Sequence, residues 1–96
     1  MAKFKVIDGA YVKYQMTTWQ GEIEINGETI LYRYSEDDNG AELYVFNEDQ
    51  GWFQPDLEEN ENYAILYTAI MEWGNPEEFG ASGEEFEEDL DTSDYI

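Results

Sequence analysis

The stretch EIEINGETILYRY, residues 22–34, limits the fold more than any other part of the chain. Charged and apolar residues alternate over residues 22–25, the period-two repeat of a strand with one buried face. Asn26-Gly27 then suits the two left-handed positions of a tight hairpin turn. A two-residue loop sets Ile25 opposite Glu28 and Ile23 opposite Ile30. A second Asn-Gly, Asn39-Gly40, ends the next extended run, and the same arithmetic sets Tyr34 opposite Val45 and Glu36 opposite Leu43. Ile23, Ile30, Tyr32, Tyr34, Leu43 and Val45 then share one face, which is expected to pack a helix. Upstream, residues 3–7 and 10–16 are rich in β-branched and aromatic residues and read as strands, with Gly9 marking a bend or bulge between them.

Beyond residue 55 the period changes. Asp56 and Glu59 have the spacing of a capping box. Tyr63, Leu66, Tyr67 and Ile70 follow at the spacing of one helical stripe, and Gly74 is a natural stop. Asn75-Pro76-Glu77-Glu78 supplies a cap, a first-turn proline and acids that favour a helix start, giving a short turn that ends near Gly80. Ser82 and Glu85 repeat the capping-box spacing. They predict a last helix over residues 83–91, with Phe86 and Leu90 on one face and acids around the rest. The expected fold is α+β in a single domain, residues 1–96. An antiparallel β-meander of three to five strands, within residues 1–50, packs against one main helix. Short acidic C-terminal helices complete a helical part over residues 56–91, and residues 92–96 are expected to fray. Trp52-Phe53 reads as a loop anchor of the core.

Charge is distributed unevenly along this pattern. Residues 1–34 hold all four bases, Lys3, Lys5, Lys13 and Arg33, and four acids, Asp8, Glu22, Glu24 and Glu28. Residues 35–96 hold twenty acids and no base, so the net charge of −20 sits wholly in the last 62 residues. Solubility asks for a magnitude of only about 2–8, and the excess repels itself. Aromatics make up 17 % of the chain, against the composition of a disordered acidic tail.

The same composition excludes much chemistry. Without histidine or cysteine there is no disulfide framework, no Ser-His-Asp or Cys-His nucleophile, and no ordinary zinc set. No glycine-rich phosphate loop is present. Asp37-Asp38-Asn39-Gly40 resembles a calcium loop, but aligning Gly40 to its sixth position puts Ser35 first and Phe46 twelfth, where carboxylates are required. With twenty-four acids in the chain, paired carboxylates of glycosidase type carry no signal. No enzyme activity, cofactor or metal is expected. The opening residues lack the apolar core of a signal peptide, and the longest near-apolar run, residues 64–71, is too short to span a bilayer. A cytoplasmic protein with no membrane partner is expected. Direct nucleic-acid binding is disfavoured, because phosphates would repel this surface.

Inverting that repulsion gives the functional expectation. Carboxylates at i, i+4 on a helix lie about 6 Å apart, and at i, i+2 on a strand roughly 6.6–6.8 Å apart. Duplex DNA presents a comparably dense row of anions. Glu84–Glu88, Glu85–Asp89 and Glu87–Asp91 have the helical separation, and Glu36–Asp38 has the strand separation if that arm stays extended. A basic groove shaped for DNA would accept such a surface. The stretches SEDDNGAELYVFNEDQ (35–50) and EEFGASGEEFEEDLD (77–91) make the chain resemble the small acidic phage proteins that mimic DNA and disarm restriction, repair or CRISPR enzymes. The likeness is to one anti-CRISPR architecture, a three-stranded sheet with helices that fills a nuclease's DNA-entry site. The resemblance covers charge pattern over the last two-thirds of the chain and implies a non-catalytic inhibitor whose partner is a basic DNA-binding protein. The candidate phosphate-mimicking carboxylates are Glu36, Asp37, Asp38, Glu42, Glu48, Asp49, Glu58, Glu59, Glu61, Glu77, Glu78, Glu84, Glu85, Glu87, Glu88, Asp89 and Asp91. Two other readings of the acids stand beside it: an interaction module for a basic partner that is not a DNA enzyme, and a salt-adapted structural domain.

Overall fold

The computed structural model describes residues 2–14, 18–38 and 40–92. Its strands are β1 (Ala2–Tyr14), β2 (Thr18–Ile25), β3 (Glu28–Asp37), β4 (Gly40–Asn47), β5 (Gly51–Phe53) and β6 (Glu85–Glu88). One helix, α1 (Glu61–Trp73), and a 3₁₀ helix (Pro76–Phe79) lie between β5 and β6. The six strands form one antiparallel sheet in the order β5-β4-β3-β2-β1-β6. The fold is thus α+β, with more strand than expected and, among the described residues, no α-helix after Trp73.

The first hairpin has the expected register, Ile25 opposite Glu28 and Ile23 opposite Ile30. Asn26 and Gly27 both take positive φ, 50° and 89°. The second hairpin differs by two residues: Tyr34 faces Leu43, Tyr32 faces Val45, and Glu36 faces Ala41. A two-residue slip returns every side chain to the same face. Burial therefore cannot choose between the two registers, and the turn decides. Its Asn39 lies outside the described residues. All six residues expected on the buried face are buried.

The two expected N-terminal strands are one continuous strand, β1, whose register against β2 shifts on both sides of Asp8 and again between Val12 and Tyr14. The irregularity expected at Gly9 is present as bulges that leave the strand unbroken. Met16, the expected end of the second strand, lies outside the described residues.

The main helix begins four residues later than a cap at Asp56 predicts, at Glu61. Asp56 caps only a turn, its Oδ1 accepting from the Glu58 N–H at 3.0 Å. Asn60 is the helix cap: its Oδ1 accepts from the Asn62 N–H at 2.9 Å. Its amide also donates to the Glu28 carboxylate at 3.1 Å, and Asn62 Nδ2 donates to the same carboxylate at 2.8 Å. The start of the helix is thereby tied to the start of β3. Gly74 ends the helix at φ 90°, its N–H donating to the Ile70 carbonyl. The Asn75-Pro76 signal produces the 3₁₀ helix, with Asn75 Oδ1 accepting from the Glu77 N–H.

The core lies between one sheet face and α1. Phe4, Val6, Ile23, Ile25, Tyr32 and Val45 meet Leu66, Ala69 and Ile70, with Phe79 closing one side. Of the expected anchor pair, Phe53 packs against this core and meets Tyr63 edge-on, but it belongs to strand β5 and not to a loop, and Trp52 lies instead against Arg33 and the exposed Phe46. Within the helix Thr68 is fully buried and its hydroxyl has no hydrogen-bond partner among the described residues. An unsatisfied buried hydroxyl costs about 1–3 kcal/mol, so Thr68→Val should raise stability by about 1 kcal/mol, read as a higher urea midpoint with an unchanged slope.

Gly21 sits opposite Tyr32 in the β2–β3 ladder. A Cβ there would lie 2.7 Å from Tyr32 Oη and 3.1 Å from Ala10 Cα. Tyr32 is only 1 % exposed and has little room to withdraw. Gly21→Ala should cost about 1–3 kcal/mol through overpacking, again read from the urea midpoint.

Candidate partner-binding surface

The predicted last helix is instead a strand. Glu85–Glu88 pairs antiparallel with the start of β1: Lys5 with Glu85, Phe4 with Phe86, Lys3 with Glu87 and Ala2 with Glu88. Ser82, predicted as a helix cap, accepts from the Gly9 N–H through its Oγ at 2.9 Å. Like charges at i, i+4 destabilise a helix, and this segment would have stacked three such pairs. As a strand, the same acids alternate about Phe86, whose ring stacks on Phe4 with centroids 4.7 Å apart. Two lysines stand directly across from two glutamates, a favourable cross-strand arrangement.

The predicted i, i+4 pairs Glu84–Glu88, Glu85–Asp89 and Glu87–Asp91 therefore do not form. Glu85 and Glu87 share one face of β6 at the strand separation of roughly 6.6–6.8 Å, beside lysines. The Glu36–Asp38 pair fails as well, because β3 ends at Asp37 and Asp38 lies in the turn.

All seventeen candidate carboxylate residues are exposed, but they fall into separate groups. Glu36, Asp37, Asp38 and Glu42 surround the β3–β4 tip, where Tyr34 Oη donates to Glu36 at 3.3 Å and Tyr44 Oη to Glu42 at 2.9 Å. Glu48 and Asp49 occupy the β4–β5 turn, in which Asn47 Oδ1 accepts from the Gln50 N–H. Glu58, Glu59 and Glu61 lie at the entry to α1, and Glu77 and Glu78 on the 3₁₀ helix. Glu84, Glu85, Glu87, Glu88, Asp89 and Asp91 follow the β6 edge and its flanks. Packing joins some across groups: Glu61 and Asp89 line one depression with Asn26 and Ile65, and Glu78 and Glu88 line another with Trp73, Phe79 and Phe86.

The bases have their own place. Lys3, Lys5 and Arg33 lie on the sheet face turned away from α1, shared with Glu22, Glu24, Glu85 and Glu87. Arg33 lies over the Trp52 ring at 4.3 Å and donates twice to Gln20 Oε1, at 2.9 and 3.3 Å. Phe46, 41 % exposed, packs edge-on against Trp52 nearby. This mixed face was not evident from sequence, since its members come from separate strands.

Among the described residues no group of three acidic side chains is placed to hold a metal ion. No helix among them is long and apolar enough to cross a membrane. Burial, reinforced by the Glu36 carboxylate, pushes the Tyr34 phenol up to about 12. Tyr32 is pushed higher still, by burial first and by Asp8 second. Unfolded tyrosines ionise near pH 10. The stabilisation from these raised values is fully present below pH 10 and is lost as pH rises through about 12. The urea midpoint should therefore be lower at about pH 11 than at about pH 9, with phenolate absorbance showing delayed ionisation in the folded protein.

Phe79 and Phe86, each preceded by two glutamates, meet at one tryptophan. The two phenylalanines lie 6.5 Å apart, each against Trp73 at 5.4 and 5.7 Å. No known protein family, curated protein or solved structure was found to match the chain.

Proposed function

We propose that this protein is a non-catalytic DNA mimic that occupies the basic groove of a DNA-binding protein, such as a nuclease, CRISPR effector, restriction or repair enzyme. Phage counter-defence in the cytoplasm of a host cell is the setting that suits it. One observation carries the reading: the seventeen candidate carboxylate residues are all exposed, and among them only Glu85 and Glu87 stand directly across from lysines. The ends of β3 and β4, the entry to α1 and the 3₁₀ helix present anions along the surface. A fixed array of this kind attracts a cationic groove and speeds its docking.

The test is capture from a host lysate on the immobilised protein, followed by challenge with duplex DNA. Captured proteins should be released by DNA, and capture should weaken steadily as salt rises. If duplex DNA displaces none of them, the partner is basic but not a DNA enzyme, and the mimic reading fails. Unfolding at low ionic strength would instead identify a salt-adapted domain.

A further inference from the structure

The β6 edge and the depression beside it have the properties of a receptor for an extended basic chain. β6 ends the sheet, so among the described strands only β1 pairs with it. Its outward N–H and C=O groups can accept another strand. Beside it, on the side that Phe86 faces, Trp73, Phe79 and Phe86 line a depression of about 260 Å³ with Glu78 and Glu88. Among the described residues no base lines it.

We infer that the β6 edge takes an arginine-bearing segment of a partner by strand addition, with one arginine seated against the partly exposed Trp73 and Phe86 rings between Glu78 and Glu88, above the buried Phe79. The inference rests on the proposed function only in requiring a basic partner. Charge complementarity chooses the occupant. A second copy of this chain would set Glu85 and Glu87 against like charges, on a molecule of net charge −20. A basic strand would repeat what β1 already does, since Lys5 and Lys3 stand opposite Glu85 and Glu87 on the inner side. A residue of the added strand opposite Phe86 would stand about 5 Å from it, at the rim of the depression. Arginine fits better than lysine there, because a planar guanidinium stacks on an aromatic face and meets carboxylates through paired N–H groups. The molecule uses the same chemistry once already, with Arg33 over Trp52.

The probe is a capped peptide of three consecutive arginines flanked by valines, so that the central arginine can stand opposite Phe86 and its neighbours opposite Glu85 and Glu87, titrated into isotope-labelled protein and followed by amide and indole NMR. Shifts should concentrate at Glu85–Glu88 and the Trp73 indole. Replacing arginine by citrulline, or methylating the peptide's backbone nitrogens, should each weaken binding at least about tenfold, the loss of about 1.4 kcal/mol. Glu78→Gln with Glu88→Gln should weaken it similarly, whereas Glu22→Gln with Glu24→Gln, on the opposite sheet face, should not. If the methylated peptide binds as tightly as the parent, or both glutamine pairs lose affinity equally, attraction to a polyanion accounts for binding and the inference fails. No DNA enters this assay, so its failure leaves the duplex-competition result standing, and the reverse also holds.

Discussion

Phe4→Ala should lower the unfolding free energy by about 3–5 kcal/mol, a large share of the roughly 5–15 kcal/mol that holds a domain together. Phe4 is 2 % exposed and is the meeting point of four elements. Its ring stacks on Phe86 of β6 at 4.7 Å and also meets Phe79 of the 3₁₀ helix at 6.4 Å and Trp73 of α1 at 6.3 Å. Truncation leaves a cavity where β1, β6, α1 and the 3₁₀ helix converge, and little around it can collapse inward. Self-repulsion of the acidic surface lowers the reserve further, so the variant should be least stable at low salt. Urea unfolding followed by circular dichroism and tryptophan fluorescence reads the effect. Phe86→Ala is the partner measurement. Phe86 is only half-buried, so its loss should free β6 while the remaining sheet still unfolds cooperatively. A cost below about 1 kcal/mol for Phe4→Ala would show that this aromatic cluster does not join the elements.

The second large effect concerns binding. Glu36→Gln, Asp37→Asn, Asp38→Asn and Glu42→Gln together remove four charges from the β3–β4 tip. Glutamine keeps an acceptor for the Tyr34 and Tyr44 hydroxyls that meet Glu36 and Glu42. At about 0.5 kcal/mol for each exposed ion pair, the four losses should weaken binding to a captured DNA-binding protein about 30-fold. The salt dependence should become shallower as well. Stability should hold or rise, because like charges are removed from one hairpin end. Glu22→Gln with Glu24→Gln is the control, on the face that also carries Lys3, Lys5 and Arg33, and should change affinity little. If the quadruple variant binds like the parent, the tip does not touch the partner and the mimic's contact lies elsewhere.

What could be read from sequence was whatever a short window decides. Asn26-Gly27 between period-two runs specified its hairpin to the residue, and six alternating side chains revealed the buried face. Asn75-Pro76 marked the 3₁₀ helix. The second hairpin shows the limit, because a slip of two residues preserves the face and the pattern says nothing about it. The helix start was misplaced because Asp56 and Asn60 are both good caps. Only Asn60 reaches Glu28, a contact across 32 residues. The last segment failed for the same reason. Phe86 and Leu90 fit a helix stripe locally, and the opposing argument, Lys3 and Lys5 awaiting Glu87 and Glu85, stands some eighty residues earlier. The candidate carboxylates lie on the surface, and the spacing expected for those from Glu84 to Asp91 depended on that misassigned helix and changed with it.

The pairing of β1 with β6 has a consequence for the order of assembly. The β2–β3 and β3–β4 hairpins close short loops and can form early, whereas the Ala2–Glu88 pairing closes nearly the whole chain and bears the largest entropic cost of the sheet. The seam is narrow, four residue pairs crowded with glutamates. It should knit last on folding and unzip first on unfolding, so the most acidic end of the molecule detaches as a hinged flap before the rest gives way.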